Sequence, residues 1–276
     1  ITDCNKAILR LIGHQADEVI GHALFEFIAP ADHERVREYV RSAREHPYEV
    51  TLLHADGHPV PVEAIGKTMP FKGSSHRLVA VRDISDRKQA EARIQFLARH
   101  DALTGLPNRF ALAERLDQVL AAAKRNTRHA AILFIDLDHF KIVNDSLGHH
   151  VGDILLNAVA QRIQQALRAA DVVARLGGDE FVLLLDGLDD EHRLEALAQA
   201  IQASVSRPMR IESARGTLDV NIGGAIRPRH GETERELLAA ADQAMYAAKQ
   251  GGRNQVVADQ LPTERVNGQT LSRRTV

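Results

Sequence analysis

The stretch from Asp171 to Asp186, DVVARLGGDEFVLLLD, is the part of the sequence around which the rest is organised. Residues 172–176 alternate with a period of two, which predicts a β-strand with one buried face. Residues 181–185 form an unbroken apolar run, as is typical of a strand covered on both faces. Gly177 and Gly178 lie between the two runs and indicate a tight turn, where the backbone can approach a ligand closely. The stretch therefore predicts a largely buried β-hairpin.

Two acidic residues, Asp179 and Glu180, directly follow the glycines at the tip of this hairpin. Adjacent carboxylates repel each other, so the pair favours a bound cation or another functional explanation. The alternative is an ordinary solvated turn, because glycine and aspartate are common in turns. A second acidic site, at Asp136, shifts the balance toward function.

The composition is that of an ordinary globular protein. The 276 residues suit two domains, and they are 26% charged and 44% hydrophobic. The net charge of −2 gives no bulk attraction for nucleic acid or an anionic membrane, so we expect neither as a partner. No apolar run approaches the ~20 residues that cross a bilayer, so we expect no membrane segment in this chain. The one cysteine, Cys4, cannot form an internal disulfide, which fits a reducing, cytoplasmic location. The chain starts at Ile1 without a methionine, and we expect it to be a fragment.

Residues 1–83 are predicted to form a small α+β domain. Helical patterns cover residues 24–28 and 31–42, strands are expected at 49–53, 59–65 and 78–81, and turns at 54–58 and 72–75. The segment resembles a PAS sensor domain, although the usual first strand of that fold is not evident. The matching features are Asn5-Lys-Ala7, Ile20-Gly21-His22, the Asp56-Gly57 hairpin and Arg82-Asp-Ile-Ser-Asp86.

The ligand of this domain stays unknown at this point. Seven histidines lie here, and one of those at positions 14, 22, 54, 58 and 76 could bind a haem iron or another metal. Histidines in small domains are more often surface or hydrogen-bonded residues, so the sequence assigns none of them as a ligand. Cys4 does not lie in the short cysteine motif of flavin-adduct photosensors.

Residues 84–100 are predicted to form a linker helix. The stretch from Ser85 to Arg99 contains no glycine or proline, and Ala90, Ile94 and Leu97 form a narrow apolar seam on a charged helix. The helix either lies on one domain or joins two protomers in a short parallel coiled coil. We favour the second interpretation, in which a homodimer forms through the linker helix and the PAS domain. About two heptads are too few for an independent coiled coil, so the flanking domains would have to hold the two helices together.

Residues 101–258 are predicted to form a second domain, and 259–276 a disordered polar tail. Its buried strand, Ala130–Leu137, ends in Asp136-Leu-Asp138, where many α/β proteins bind a metal or nucleotide. One of these acids could instead cap the next helix. Further helices are expected from Arg109 to about Lys124 and over residues 153–168, 190–204 and 234–249, and further strands at 218–226 and 255–258.

Several motifs follow one another through this domain: Asp101-Ala-Leu-Thr-Gly-Leu-Pro-Asn-Arg109, Asp136-Leu-Asp-His-Phe-Lys141, Asn144-Asp145, Leu147-Gly-His-His-Val-Gly-Asp153, Arg175-Leu-Gly-Gly-Asp-Glu-Phe181 and Lys249-Gln-Gly-Gly-Arg-Asn254. In these motifs and their order the domain resembles the GGDEF-domain diguanylate cyclases. The resemblance implies a fold related to nucleotidyl cyclases and polymerase palms, with a central, mostly antiparallel sheet flanked by helices. It also implies a reaction that joins two GTP molecules into cyclic di-GMP and releases two pyrophosphates.

The resemblance assigns roles to individual residues. Asp136, Asp179, Glu180 and the carbonyl of Leu137 would bind Mg²⁺ (or Mn²⁺), and Asp179 would also draw off the 3′ proton. Asn144 and Asp153 match the positions that read guanine, since an amide and a carboxylate suit its edge. The remaining substrate-binding assignments are Lys141, His149, Arg175, Gly177, Gly178, Lys249 and Arg253. The basic residues among them have a second interpretation as solvated surface charges, and Lys249 and Arg253 share a face only if the helix continues through Gly251 and Gly252.

Arg168 and Asp171, separated by two alanines, match the inhibitory Arg-x-x-Asp site of the same family, which binds cyclic di-GMP. The alternative is an arginine that interacts with the dipole at a helix C-terminus.

One catalytic site binds one GTP while the product has two equivalent bonds, so we expect activity to need a two-fold dimer. One rival function is a non-catalytic cyclic di-GMP receptor, which predicts damaged metal-binding positions, whereas Asp136, Asp179 and Glu180 are all present. The other is a cyclase that makes a different or mixed dinucleotide, which would be expected to alter Asp153.

Overall fold

The computed structural model describes residues 1–71, 73–126, 128–188, 192–211, 214–252 and 254–257. The chain divides into two compact units, Ile1–Gln95 and Phe96–Val276. No helix in the described part of the chain is long and apolar enough to cross a membrane.

The first unit places short helices ahead of a three-stranded antiparallel sheet of order β1-β2-β3. Its elements are α1 (Lys6–Ile12), α2 (Ala16–Val19), 3₁₀ turns at Leu24–Phe27 and Pro30–Asp32, α3 (His33–Arg41), β1 (Tyr48–Leu53), β2 (Pro59–Phe71) and β3 (Ser74–Asp83). Helices α1 and α2 were not predicted. Asn5 is the N-cap residue of α1, and its side chain accepts hydrogen bonds from the backbone of Ala7 and Ile8, both at 3.0 Å. Because asparagine is a preferred N-cap residue, the sequence does contain a signal for this helix.

The hairpin of β2 and β3 is longer than predicted. The expected strand at 59–65 continues to Phe71, because its backbone stays paired with β3 as far as Phe71 opposite Ser74. Helix α4 (Ser85–Arg99) then follows over the residues predicted as the linker helix, and none of its residues is buried.

The second unit is built on a five-stranded sheet of order β10-β9-β4-β6-β5. Only the β10–β9 pair is parallel, which confirms the predicted, mostly antiparallel sheet. The elements are α5 (Arg109–Asn126), β4 (His129–Leu137), α6 (Phe140–Leu147), α7 (His149–Ala166), β5 (Val172–Gly177), β6 (Glu180–Leu188), α8 (His192–Val205), a small hairpin of β7 (Met209–Ile211) and β8 (Ala214–Gly216), β9 (Val220–Arg227), α9 (Glu234–Gln250) and β10 (Val256–Val257).

Helices cover both faces of this sheet. One core cluster combines the sheet with α7 and α8, and a second combines the opposite face with α5 and α9. Strand β6 therefore contributes side chains to both clusters, as its apolar run predicts. The prediction of one buried face for residues 172–176 was wrong in one respect. Val173 is buried on the face opposite Ala174, because both faces of β5 are covered.

Several boundaries differ from the predicted ones. Helix α7 begins at His149 rather than at Asp153, because α6 ends at Leu147 and Gly148 alone separates the two helices. The β7–β8 hairpin was not predicted. The capping box at the start of α9 is confirmed, since the Thr233 and Glu236 side chains each accept a hydrogen bond from the backbone of the other. Lys72, Asp190, Ala258 and the predicted tail lie outside the described residues.

Candidate active site

Three polar residues lie side by side at one end of the second unit's sheet. Asp136, near the end of β4, is directly opposite Glu180 on β6 and Asn221 on β9. Residues opposite each other in antiparallel strands point to the same face. The register of the sheet therefore brings Asp136 and Glu180 together, although 44 positions separate them in the chain.

The β5–β6 hairpin adds a third carboxylate. Gly177 and Gly178 have φ angles of 143° and 53°, a conformation that side chains rarely adopt. A β-carbon on either glycine would meet no atom within 4 Å, so the hairpin tip borders open space. Asp179 follows in the turn and Glu180 begins β6. The hairpin thus holds both acidic residues next to a space that a ligand can enter.

Electrostatic repulsion and burial act together on this group. Burial raises the pKa of Asp136, the nearby carboxylates of Asp179 and Asp138 raise it further, and Lys249 opposes them. The Lys249 Nζ lies 2.8 Å from Asp136 Oδ1. Burial likewise raises the pKa of Glu180, together with the charges of Asp136 and Asp179.

These carboxylates are of the type that binds divalent cations, although the ligand atoms of Asp136, Asp179 and Glu180 do not all lie within 4.8 Å of one another. Carboxylate oxygens are the preferred ligands of Mg²⁺, and one carboxylate of the cluster already attracts an ammonium group. A bound cation would remove the repulsion between the carboxylates. Leu137 is buried at the end of β4, so only its backbone is available to the site. Asp138 lies beyond the end of β4, and the N-cap position of α6 is taken by His139.

The substitution Glu180→Gln is expected to raise the melting temperature of the metal-free protein at neutral pH. A raised carboxyl pKa means that the folded protein holds the proton more tightly than the unfolded chain does, so ionisation lowers the free energy of unfolding. This penalty is complete above the folded pKa and absent below the unfolded pKa. The gain in the variant should therefore shrink as the pH falls through the folded pKa.

Thermal melts with and without Mg²⁺ measure this effect. Mg²⁺ should stabilise the wild type more than Glu180→Gln, because the variant has lost one carboxylate ligand. Glu195→Gln, a change at an exposed residue of α8, is the matched control. A variant less stable than the wild type without metal at neutral pH would contradict the prediction.

The guanidinium of Arg175 is held by groups of the protein itself. Its guanidinium donates to Asp101 Oδ1 at 2.8 Å and to the carbonyl oxygen of Gly178 at 3.0 and 2.7 Å. Burial would raise the pKa of Asp101, but hydrogen bonds from Thr104 and Arg175 outweigh it and lower that pKa. These contacts favour a structural role, in which Arg175 joins the turn after α4 to the β5–β6 hairpin, over the expected contact with triphosphate.

The residues assigned to guanine lie where α6 packs against α7. The Oδ1 atom of Asn144 is buried and has no hydrogen-bond partner among the described residues. It lies against Gly152, where a β-carbon would overlap it, and Asp153 is the next residue. Asp153, His149 and Lys141 are exposed. The structure therefore brings Asn144 next to the segment that carries Asp153, with a buried acceptor atom still unused.

The remaining assignments are Arg168 with Asp171 and Lys249 with Arg253. Arg168 and Asp171 form a turn between α7 and β5, closed by hydrogen bonds from the Arg168 backbone to Asp171 Oδ2 (3.2 Å) and from the Asp171 backbone to the Arg168 carbonyl (3.1 Å). The Arg168 side chain is exposed. Helix α9 ends at Gln250, so the condition for Lys249 and Arg253 to share a helical face is not met. Arg253 itself lies outside the described residues.

Sequence reasoning missed two asparagines, one beside the site and one that connects α4 to α5. Asn221 is fully buried beside Asp136, and neither polar atom of its amide has a hydrogen-bond partner among the described residues. Asn108 donates to the carbonyls of Leu97 and Ala98 in α4 and accepts from the backbone of Ala111 in α5. Asn108 stands just before α5, the position of a helix N-cap, so local sequence could have identified it. Only the strand register reveals Asn221.

Comparison with known proteins agrees with this architecture. Residues 98–255 match the diguanylate cyclase GGDEF domain, and residues 1–86 match the PAS domain. The bifunctional diguanylate cyclase/cyclic di-GMP phosphodiesterase MucR of Pseudomonas aeruginosa is 48% identical over 158 residues, which are 57% of this chain and 23% of MucR. An uncharacterized signaling protein of Caulobacter vibrioides is 36% identical over 260 residues, which are 92% of this chain and 31% of that protein.

A solved structure is similar as well. The coiled coil and GGDEF domain of DgcB from Caulobacter crescentus, in complex with c-di-GMP, superposes with a TM-score of 0.57 at 30% identity and covers 64% of this chain and 93% of that one. The chain spans less than a third of the length of the two curated relatives above. The GGDEF match alone extends over more than half of the chain. The chain therefore belongs to the GGDEF diguanylate cyclase family and carries a PAS domain ahead of its GGDEF domain.

Proposed function

We propose that this chain is a diguanylate cyclase that condenses two GTP molecules into cyclic di-GMP under the control of its PAS domain. The observation that supports the proposal is the placement of three carboxylates near one another at one end of the sheet. Asp136 and Glu180 are paired across β4 and β6, and Asp179 acts on the pKa of both of them. Burial and mutual repulsion of these carboxylates destabilise the fold, and a protein that only bound the product would not need them.

The reaction joins the ribose 3′ oxygen of one GTP to the α-phosphorus of the other, as the bond to pyrophosphate breaks. Divalent ions such as Mg²⁺ or Mn²⁺, held by Asp136, Asp179, Glu180 and the Leu137 carbonyl, would neutralise phosphate charge and activate the 3′ hydroxyl. Asp179 would accept the proton of the 3′ hydroxyl. Lys249 now neutralises Asp136, and it becomes available to the triphosphate once cations occupy the carboxylates.

Guanine recognition is assigned to Asn144 and Asp153. The Oδ1 of Asn144 is an acceptor without a donor among the described residues, and guanine offers an adjacent pair of N–H donors, N1–H and N2–H, which adenine lacks. Asn144→Ala is expected to raise KM for GTP by about tenfold, the effect of one hydrogen bond, with a smaller effect on kcat. Steady-state kinetics measure both, and Asn126→Ala, at the exposed end of α5, is the control. An unchanged KM would remove Asn144 from the guanine site.

A homodimer supplies the second GTP. Each catalytic domain would present one nucleotide, so two must face each other to form two equivalent bonds. The exposure of α4 supports a dimer through this helix, since Ile94 is 67% and Leu97 40% exposed. Unpartnered apolar side chains on a charged helix are those a parallel coiled coil would cover. The PAS domain would then regulate the encounter of the two catalytic domains rather than the chemistry.

The decisive experiment is incubation of the chain with GTP and Mg²⁺, with the products resolved by chromatography. Cyclic di-GMP and pyrophosphate in a ratio of one to two are expected, and excess ATP should neither replace GTP nor compete strongly. The specific rate should rise with protein concentration until the dimer is saturated. Binding of cyclic di-GMP without any turnover would instead support the receptor function.

Product inhibition is assigned to Arg168 and Asp171. A guanidinium that bonds a phosphate or guanine contributes about 1.5–3 kcal/mol, so Arg168→Ala should raise the half-inhibitory concentration of cyclic di-GMP roughly 10–100-fold. Turnover at low product should persist, because the turn lies outside the carboxylate cluster. Initial rates at increasing added product provide the measurement, with Arg125→Ala, also an exposed arginine, as control. Inhibition that is the same in Arg168→Ala and the wild type would remove the assignment.

A further inference from the structure

We propose that the β1–β2 hairpin of the PAS unit binds one divalent transition-metal ion, such as Zn²⁺, through His54, Asp56 and His58. These residues lie in a turn of five residues, and one potential ligand atom of each lies within 4.8 Å of the others. The proposal concerns a part of the chain that takes no part in the cyclase chemistry. It is independent of the function proposed for the second unit.

The three donor groups already converge. The Nδ1 atoms of His54 and His58 lie 3.0 and 2.5 Å from the same carboxylate oxygen, Oδ1 of Asp56. The two imidazole rings are stacked with their centroids 4.2 Å apart. Bonds of about 2.0–2.2 Å to one ion hold neighbouring ligand atoms roughly 3.3 Å apart. Small rotations of the side chains are therefore enough to place an ion between them.

The hairpin backbone holds the ligands in this arrangement. The backbone N–H of His54 donates to the carbonyl of His58 at 3.0 Å, and that of Gly57 donates to the carbonyl of His54 at 2.8 Å. The Nε2 edge of His54 packs against Gly13 of the α1 C-terminus, where a β-carbon would overlap the ring. This packing turns the Nδ1 edge toward Asp56. Asp56 also accepts from the backbone of His58 at 3.1 Å.

The chemistry of the donors selects the class of ion. Two imidazoles and one carboxylate suit Zn²⁺, Cu²⁺, Ni²⁺ or Co²⁺, whereas Mg²⁺ and Ca²⁺ prefer oxygen ligands alone. His58 and Asp56 are 55% and 64% exposed, which leaves positions on the ion for water.

Two other histidines of the PAS unit also contact carboxylates, but each forms only a pair. His14 with Glu18 and His22 with Glu26 each pair one imidazole with one carboxylate, at 3.2 and 3.0 Å. Within the described residues, only the group of His54, Asp56 and His58 combines three such donors. Three donor groups held in one turn can bind one ion together, so they are expected to bind it more tightly than a surface pair of one imidazole and one carboxylate.

The test is calorimetric titration of the full chain with ZnCl₂ in excess Mg²⁺, which occupies the oxygen-rich carboxylates of the second unit. The wild type is expected to bind one Zn²⁺ per chain at this site. His58→Asn and Asp56→Asn should each weaken that event at least about tenfold, since even residues behind the ligands contribute roughly 10–100-fold. Asp56→Asn retains an oxygen that can accept from the His58 backbone, so it preserves the turn.

A matched control and a second probe complete the experiment. His22→Asn, which removes an imidazole from a two-donor pair, should leave the affinity and stoichiometry unchanged. Bound Cu²⁺ should give an electron paramagnetic resonance spectrum with two imidazole nitrogens in the wild type and one in His58→Asn. A wild type without Zn²⁺ binding, or binding that survives unchanged in His58→Asn and Asp56→Asn, would overturn the proposal.

Discussion

Replacement of Asp179 by asparagine is expected to lower cyclic di-GMP formation by at least about a thousandfold, equivalent to roughly 4 kcal/mol of transition-state stabilisation. Asparagine has nearly the same shape but cannot accept the 3′ proton, and it removes one negative charge from the cluster that would bind cations. The fold should persist, since Asp179 lies in the turn between β5 and β6 rather than in the core. The measurement is the initial rate at saturating GTP and Mg²⁺.

Two further results separate catalysis from folding in this variant. The melting temperature without metal should be equal to or above that of the wild type, because Asp179 raises the pKa of both Asp136 and Glu180 by repulsion. Asp186→Asn, near the opposite end of β6, is the matched control and should keep its activity. A rate for Asp179→Asn within about tenfold of the wild type would exclude Asp179 as the base and as an essential metal ligand.

Local sequence patterns predicted those helices and strands that are specified by residues within the element itself. The apolar run of β6 and the capping box of α9 are both present as expected. The length of β2 and the second buried face of β5 were not predictable, because each depends on a neighbour distant in the chain. A strand continues for as long as its partner does, and a face is buried only if another element covers it.

The same distinction applies to the site. The motif around Asp179 and Glu180 points to chemistry, and family resemblance points to Asp136. That Asn221 lies beside Asp136 follows only from the pairing of β4 with β9. The contact of Arg175 with Asp101 joins residues 74 positions apart, so the sequence left the role of Arg175 open. The clustering of His54, Asp56 and His58 is local, but the orientation of the His54 ring depends on Gly13, 41 positions earlier.

Gly223→Ala is expected to destabilise the second unit by about 3 kcal/mol, the upper part of the range for added atoms in a packed core. A β-carbon on Gly223 would overlap the backbone nitrogen of Met245 and the carbonyl oxygen of Ala241, both in α9. Backbone atoms inside a helix cannot rotate away as a side chain can, so α9 as a whole must shift. The corresponding fall in melting temperature is roughly 6–12 °C, measured by scanning calorimetry.

The same shift should reach the active site, because α9 carries Lys249, whose ammonium lies 2.8 Å from Asp136. Gly223→Ala is therefore expected to lose activity even at temperatures where it remains folded. Gly216→Ala is the matched control, since Gly216 also lies in a strand and a β-carbon there would meet nothing within 4 Å. Equal stability in the two alanine variants would mean that α9 does not pack on β9 as closely as the strand glycine requires. The packing of β9 on α9 would then not determine the position of Lys249 beside Asp136.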